Sequence, residues 1–374
     1  MDVLNYSVAT PEKFLLKRQQ LLGQNFAALG RIIIGQYDLA AKIIAQPQQR
    51  GPYIGRFRCL PDRFSKDFLL FLSDKEVDGD DAHQKAREAV WNVALSPALE
   101  RTSSQEAQDL LKELATVVHA KGNSPKLEDI SDDIQRTIVQ YIMFVILGVK
   151  LSKQQIDHLK TLFFSNNPRE SLLISKVKPL APPYKDLEEV KRLEAIALEI
   201  IEQSPVLTSY EPTAKDNMSR KELSLLLMQV IAIAGCLGSE SLTKSLLTKV
   251  PSDLEMDLEN RQEVLRVVLE TARCHAPVNN INTISQDEIT VTINGKEHKF
   301  PKGTLLAANI GLANLDGSFF KEPLTFNPHR ENLLAALNFH SVGEAKRREC
   351  PGRRIVETMG SDLLIALRRK SQTV

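Results

Sequence analysis

The spacing of apolar residues changes along this chain, and each change predicts an element. Arg31–Gly35 (RIIIG) is a β-branched run and predicts a strand, with a helix following through Ala41–Ile44. From Gln46 to Gly55 the chain is rich in Pro, Gly and Gln, which predicts a loop. His83–Leu95 reads as a helix that stops at Ser96-Pro97. Helical periodicity dominates from Ser104 to Val250, interrupted by a loop at Pro179, Pro182 and Pro183. Within it, Ser131 and the acidic pair Asp132-Asp133 are expected to start a helix that ends near Gly148. Leu223–Lys249 forms another, whose apolar stretch Leu225–Leu237 predicts burial. Glu259–His275 is amphipathic at helical spacing. After Pro277 the pattern alternates. Glu288–Phe300 (EITVTINGKEHKF) predicts a hairpin turning on Asn294-Gly295, Leu305–Ile310 one more strand, and Gly352–Arg369 a last helix. The expected fold class is mainly α (α+β): a helical body with small β-sheets.

Composition narrows the function classes. A length of 374 residues admits two or three domains. No Gly/Ser-rich linker, low-complexity tract or repeat divides the chain, so a single domain over residues 1–374 is expected. With 43% hydrophobic and 25% charged residues it can bury one large core. A formal net charge of +1 argues against nucleic-acid or membrane-surface binding driven by bulk charge. The N-terminus is polar, and neither a signal core nor a transmembrane segment is expected. Cys59, Cys236, Cys274 and Cys350 lack CxxC or zinc-like spacing, so free thiols in a reducing, cytoplasmic compartment are expected.

Four strings carry candidate chemistry. Cys350 lies in RRECPGRR, among Arg347, Arg348, Arg353 and Arg354 and next to Pro351 and Gly352. A thiolate ringed by cations at a helix start suits a metal ligand or a nucleophile, and a surface cysteine in a basic turn looks the same. Glu270 and Arg273 stand three apart on one helical face and can pair, as an ordinary surface ion pair also would. Phe326-Asn327-Pro328-His329-Arg330 turns at Pro328 and projects a second guanidinium; its plain reading is an irregular loop with an exposed arginine. His83 and Arg87 stand four apart and can grip an anion together, or simply solvate a helix face.

In this order and spacing the strings resemble the cytochrome P450 family. Glu270 and Arg273 match its E-x-x-R motif, and Arg330 matches the arginine that completes a Glu-Arg-Arg cluster. Cys350 matches the proximal thiolate; Phe300–Thr304 and Ile146–Val149 extend the likeness, which covers about Arg31 to Arg369. The resemblance implies a helical fold around a buried haem b (iron protoporphyrin IX). It implies Cys350 as iron ligand, His83, Arg87 and Arg348 as propionate contacts, and Gly352 as the residue that lets backbone approach the porphyrin. The thiolate would push electron density onto iron and favour O–O cleavage.

Three positions depart from the pattern. The family's oxygen-activating helix usually carries an acid and Thr after Ala-Gly. Here Ala234-Gly235 precedes Cys236-Leu237-Gly238, and only a shifted register offers Glu240-Ser241. The cysteine loop is lengthened, with Phe339 eleven residues before Cys350. Asn282 stands near where a basic propionate ligand often follows the E-x-x-R helix. These departures favour an enzyme that acts on a fatty-acid or lipid hydroperoxide, or uses peroxide. One alternative is a conventional monooxygenase of a hydrophobic small molecule, fed by a ferredoxin or flavoprotein. Another is a haem-binding protein without turnover. The expected substrate-pocket linings are Gln46–Phe57, Phe163–Pro183 and the helix carrying Ile231, Ala234 and Leu237. The short chain suggests a compact bacterial enzyme or a domain of a larger fusion.

Overall fold

The structure is a computed structural model that describes residues 11–28, 30–45, 76–77, 80–122, 125–164, 187–212, 218–285, 287–342 and 349–371. In chain order α1 (Pro11–Leu22) leads to β1 (Asn25–Ala28), β2 (Arg31–Ile34) and α2 (Tyr37–Ala45). β3 (Glu76–Val77) and β4 (Asp80–Asp81) precede α3 (Ala82–Val90) and α4 (Ser96–Thr102). The helical body follows: α5 (Gln105–Ala120), α6 (Leu127–Leu147), α7 (Lys153–Phe164), α8 (Leu187–Glu202), α9 (Pro205–Thr208), α10 (Arg220–Lys249) and α11 (Arg261–Cys274). Then come β5 (Asn280–Ile284), β6 (Ile289–Ile293), β7 (Lys296–Phe300), β8 (Leu305–Asn309), α12 (Ile310–Ala313) and α13 (Arg353–Ser371). A mostly helical body with small sheets is the class its residue spacing predicts.

Burial follows the periodicity. In α6, Ile130, Ile134, Ile138, Tyr141, Ile142 and Val145 are buried at helical spacing. The helix ends where Gly148 takes φ 70° and its N–H donates to the Phe144 carbonyl at 2.7 Å. Its start lies earlier than Ser131: the first turn uses Glu128 and Asp129, after Lys126. Asp132 instead faces Lys160 and Arg136, and Asp133 pairs with Lys121 at 2.8 Å. A helix-start signature and a salt-bridge face use the same residue types, so spacing alone did not separate them.

Pro97 does not stop its helix. Trp91–Leu95 forms a π-helical segment between α3 and α4, and the Ser96 N–H reaches back to the Trp91 carbonyl. The widened turn lets Pro97 enter as an early residue of α4, where a missing N–H is tolerated.

α13 packs against α5 and α11, α5 against α6, and α6 against the middle of α10. Gly360 of α13 marks a close crossing: a β-carbon there would come within 2.9 Å of Val268 on α11. α10 is long and apolar enough to cross a membrane, contrary to the sequence expectation, yet 62% of its apolar window is buried within the fold. The main sheet has the order β1-β2-β8-β5, with β2 parallel to β8 and the other pairs antiparallel. β6 and β7 form the expected hairpin, and Asn294 (φ 52°) and Gly295 (φ 72°) supply its left-handed turn. β1 and β5 escaped the sequence reading because each is a short strand whose burial only tertiary pairing provides.

A charged cluster ties α11 to the irregular chain that follows α12. Arg273 Nε donates to Glu270 Oε2 at 2.7 Å, and Arg330 Nε donates to Glu270 Oε1 at 3.0 Å. Glu270 and Arg273 are fully buried and Arg330 is nearly so, which replaces the surface-pair reading. Carbonyls satisfy the remaining guanidinium donors: Asn314 (2.7 Å) and Pro323 (2.9 Å) for Arg273, Glu322 (2.8 Å) and Thr325 for Arg330. Glu322 adopts φ 49° to aim that carbonyl. The Asn327 N–H also donates to Glu270 Oε1 at 2.8 Å.

Removing the one carboxylate would leave two guanidinium groups buried without a counter-charge. Glu270→Gln should lower unfolding stability by about 3–5 kcal/mol, read as a shifted urea midpoint at unchanged slope.

Candidate functional site

Cys350 sits three residues ahead of α13, and its own carbonyl accepts the Arg353 N–H at 3.1 Å. The Cys350 N–H donates to the Phe339 carbonyl at 2.7 Å, which joins the two ends of the loop expected to be lengthened. His340 turns the chain there with φ 55°, a left-handed conformation uncommon outside glycine. Arg353 ties the closure together. Its Nη1 donates to Ser341 Oγ and to Glu349 Oε1 at 2.8 Å each, its Nε to Glu357 Oε1 at 2.6 Å, and its guanidinium lies 5.4 Å from the Phe339 ring centroid.

The sulfur feels opposing influences. Burial raises the thiol above its ordinary value. The Gly352 backbone N–H pulls the other way, as do Arg87 and Arg353, while Glu349 adds to the rise. One backbone donor and two nearby cations thus favour a thiolate, against the larger effect of burial. A β-carbon on Gly352 would lie 4.0 Å from Cys350 Sγ, so the glycine backbone is held beside it.

A cleft of about 610 Å³ opens at this sulfur, lined by Arg87 and Trp91 on one side and Cys350, Pro351 and Arg353 on the other. Arg87 donates to the Glu349 carbonyl, linking α3 to the cysteine loop. His83 belongs to α3, one turn before Arg87. The side chain of His83, the whole of Arg348 and the pocket segments 46–57 and 165–183 lie outside the described residues. Trp91 was not picked out from the sequence. Its signal was available, four residues beyond Arg87 on the same helical line. Asn282, the departure on β5, accepts a hydrogen bond from Arg31 Nη1, so a guanidinium arrives there from β2 instead.

The remaining candidates lie on α10, and its middle is unusual. Val230–Leu237 is π-helical between two α-helical halves. Gly235 faces α6: a β-carbon there would meet Ile142 Cγ2 at 2.9 Å. Glu240 faces α6 as well, its Oε1 accepting from Gln135 Nε2 at 2.8 Å and from Lys244 Nζ at 2.7 Å. Gly238 points elsewhere, and a β-carbon placed on it meets nothing within 4 Å. Leu237 is half-buried beside it, and the side chain of Ala234 lies outside the described residues. Ser241 is half-buried one turn past Gly238. Ser239 and Thr243 are fully buried on the side of Leu242, which faces Gly360 of α13. Ile231 is plain core.

Comparison with known proteins gives one consistent direction. Residues 245–359 match the family model described as Cytochrome P450. Pulcherriminic acid synthase of Bacillus subtilis (strain 168) is 33% identical over 119 residues, which are 31% of this chain and 28% of that protein. Sterol 14-demethylase of Arabidopsis thaliana is 32% identical over 89 residues, 23% of this chain and 18% of that one. The matched segments thus span under a third of these curated relatives. Solved structures match almost throughout. A cytochrome P450 of Chondromyces apiculatus aligns with TM-score 0.67 at 17% identity, covering 98% of this chain and 89% of that one. An epothilone B-bound cytochrome P450 aligns with TM-score 0.70 at 14% identity, covering 98% and 90%.

Arg353→Ala would release Ser341, Glu349 and the Phe339 ring together. It should lower stability by roughly 1–2 kcal/mol and make the loop before Cys350 the first site of limited proteolysis.

Proposed function

Because this chain belongs to the cytochrome P450 family, we propose that it is a haem-thiolate oxidoreductase that takes its oxygen from a fatty-acid or lipid hydroperoxide, or from peroxide. The observation that carries the choice of oxidant is on α10. The Glu240 carboxylate is turned to α6 and paired with Lys244, while the open side at Gly238 bears no side chain. A relay that protonates bound dioxygen needs a free acid or hydroxyl at that place. An oxidant that arrives already reduced needs room there instead.

The donor set fits an iron porphyrin. Cys350 offers a sulfur with the Gly352 N–H and two guanidinium groups favouring its charge, in a cleft that also presents the Trp91 ring. On this reading Cys350 ligates iron of haem b, Arg87, His83 and Arg348 hold the propionates, and Gly352 admits the porphyrin edge. The thiolate-bound iron supplies electron density that favours cleavage of an O–O bond. The chain's own part is then to keep the sulfur charged and shielded. Arg353 does this by tying Ser341 to Glu349 beside the cysteine, and the Gly352 N–H does it by sharing the charge. Gly238 leaves space for the alkyl group beside the peroxide bond, and Leu237 offers it an apolar wall. The three described cysteines are free, which suits a reducing, cytoplasmic setting.

A conventional monooxygenase is the second reading, and Ser241 favours it, since its hydroxyl follows Gly238 by one turn. The cations near Cys350 support docking of a ferredoxin or flavoprotein only weakly. Arg353 is committed to Glu349 and Glu357, and Arg87 to a carbonyl.

The purified haem protein, mixed with a fatty-acid hydroperoxide without NADPH or partner, should consume the conjugated diene rapidly. Absence of turnover together with partner-dependent NADPH oxidation would overturn the hydroperoxide reading in favour of the monooxygenase. No turnover under either condition would indicate a haem-binding protein. Gly238→Thr should fold with stability changed by under about 0.5 kcal/mol and slow hydroperoxide turnover by crowding the peroxide; faster partner-driven oxidation would instead favour the monooxygenase. Cys350→Ser should abolish the thiolate-type ferrous–CO band, and its persistence would exclude Cys350 as the ligand.

A further inference from the structure

Asn314, the residue that ends α12, is fully buried, and its backbone and its side chain serve different parts of the molecule. Its N–H donates to the Ile310 carbonyl at 2.9 Å, and its carbonyl accepts Arg273 Nη1 at 2.7 Å. Any residue would supply that carbonyl to the charged cluster. The side chain reaches instead to a segment 23 residues further on. Its Oδ1 accepts the Leu337 N–H at 2.8 Å, and its Nδ2 lies 2.7 Å from the side-chain amide of Asn338. A short amide can accept and donate at once, and a leucine of nearly the same size can do neither.

The segment it grips is Leu337–Phe339, a single 3-10 turn. Its closing bond, from the His340 N–H to the Leu337 carbonyl at 3.0 Å, does not make so short a turn rigid. Leu337 is fully buried, so its N–H has no water to turn to and depends on Asn314 Oδ1. Asn314 thus holds the first two residues of the turn. The third, Phe339, faces the cysteine loop twice. Its carbonyl meets the Cys350 N–H at 2.7 Å, and its ring centroid lies 5.4 Å from the Arg353 guanidinium. A shift of the turn would carry carbonyl and ring together.

We propose that Asn314 is a positioning residue for the iron-binding sulfur: its side chain fixes the Leu337–Phe339 turn to α11, and the turn seats Cys350 through the Phe339 carbonyl. The inference rests on the haem-thiolate reading above. Asn314 does not line the cleft at Cys350, so it acts through the turn and not on the sulfur. Two substitutions separate the grip from the bulk. Asn314→Leu keeps the volume and leaves the Leu337 N–H buried without an acceptor. Asn314→Asp keeps that acceptor, and Asn338 can turn its amide to donate to the carboxylate.

The test uses the haem-loaded full chain, well below the Tm of each variant. It reads hydrogen exchange of the Leu337 and Cys350 amides against the Ile138 amide of α6, and the share of the thiolate-type ferrous–CO band. Asn314→Leu should speed exchange at Leu337 and Cys350 about tenfold beyond any change at Ile138, and lower the thiolate-type share. Asn314→Asp should keep both near wild type. Should Asn314→Leu fail to fold, Asn314→Ser, too short to reach Leu337, takes its place. Exchange that stays unchanged, or rises equally at all three amides, would overturn the proposal, the second by making Asn314 a merely structural residue. So would faster exchange with an unchanged band share, or equal losses in the Asp variant. A missing thiolate-type band in wild type would strike the haem-thiolate reading alone, since exchange at Leu337 and Cys350 still decides whether Asn314 seats the cysteine.

Discussion

A single buried carboxylate, Glu270, holds two guanidinium groups, and the cysteine side of the molecule depends on that attachment. Taking one carboxylate and two cations out of water is unfavourable unless each remaining donor is met. Here backbone carbonyls between Asn314 and Thr325 meet them. Those carbonyls belong to irregular backbone with little regular pairing of its own, so the guanidinium groups impose its course. Arg266, one turn before Glu270, repeats the device by donating to the Pro328 and Arg330 carbonyls. The chain leaving this segment reaches Phe339, whose carbonyl receives the Cys350 N–H. The position of the sulfur is thus set from α11 through hydrogen bonds to backbone.

The second determinant is the widened middle of α10. An α-helical turn throughout would direct Gly235 and Glu240 to different faces. The π-helical segment brings both onto α6, where the missing side chain of Gly235 admits Ile142. That leaves Gly238 on another side. The acid that linear spacing offered for proton transfer is instead held by Gln135 and Lys244. The sulfur side and the α10 side therefore differ in kind. The first is densely hydrogen-bonded, and the second, among the described residues, is open at Gly238.

Much of the fold was legible because its signals are local. The Asn294-Gly295 turn, the stop at Gly148 and the apolar stripes of α6 and α11 depend on residues within a few positions of one another. The illegible parts are those where a distant neighbour overrides a local rule. Pro97 continues a helix because Trp91–Leu95 widens the preceding turn, and Asp132 and Asp133 serve ion pairs rather than a helix start. β5 reads as strand only once β8 lies beside it. In the site, Cys350, Gly352, Arg87, Glu270, Arg273 and Arg330 were recognisable by type and order. Trp91 and Arg353 as the loop tie were not.

The amino-acid sequence by itself determined which groups are available: a cysteine before a helix start, an E-x-x-R pair with a later arginine, and a helix lacking the acid–threonine pair. Only the tertiary structure decided which way those groups point. A π turn is the rarer local choice, and here it comes with packing against Ile142 and a hydrogen bond from Gln135. The direction of a side chain on α10, and with it the chemistry each residue can do, belongs to the neighbours rather than to the helix.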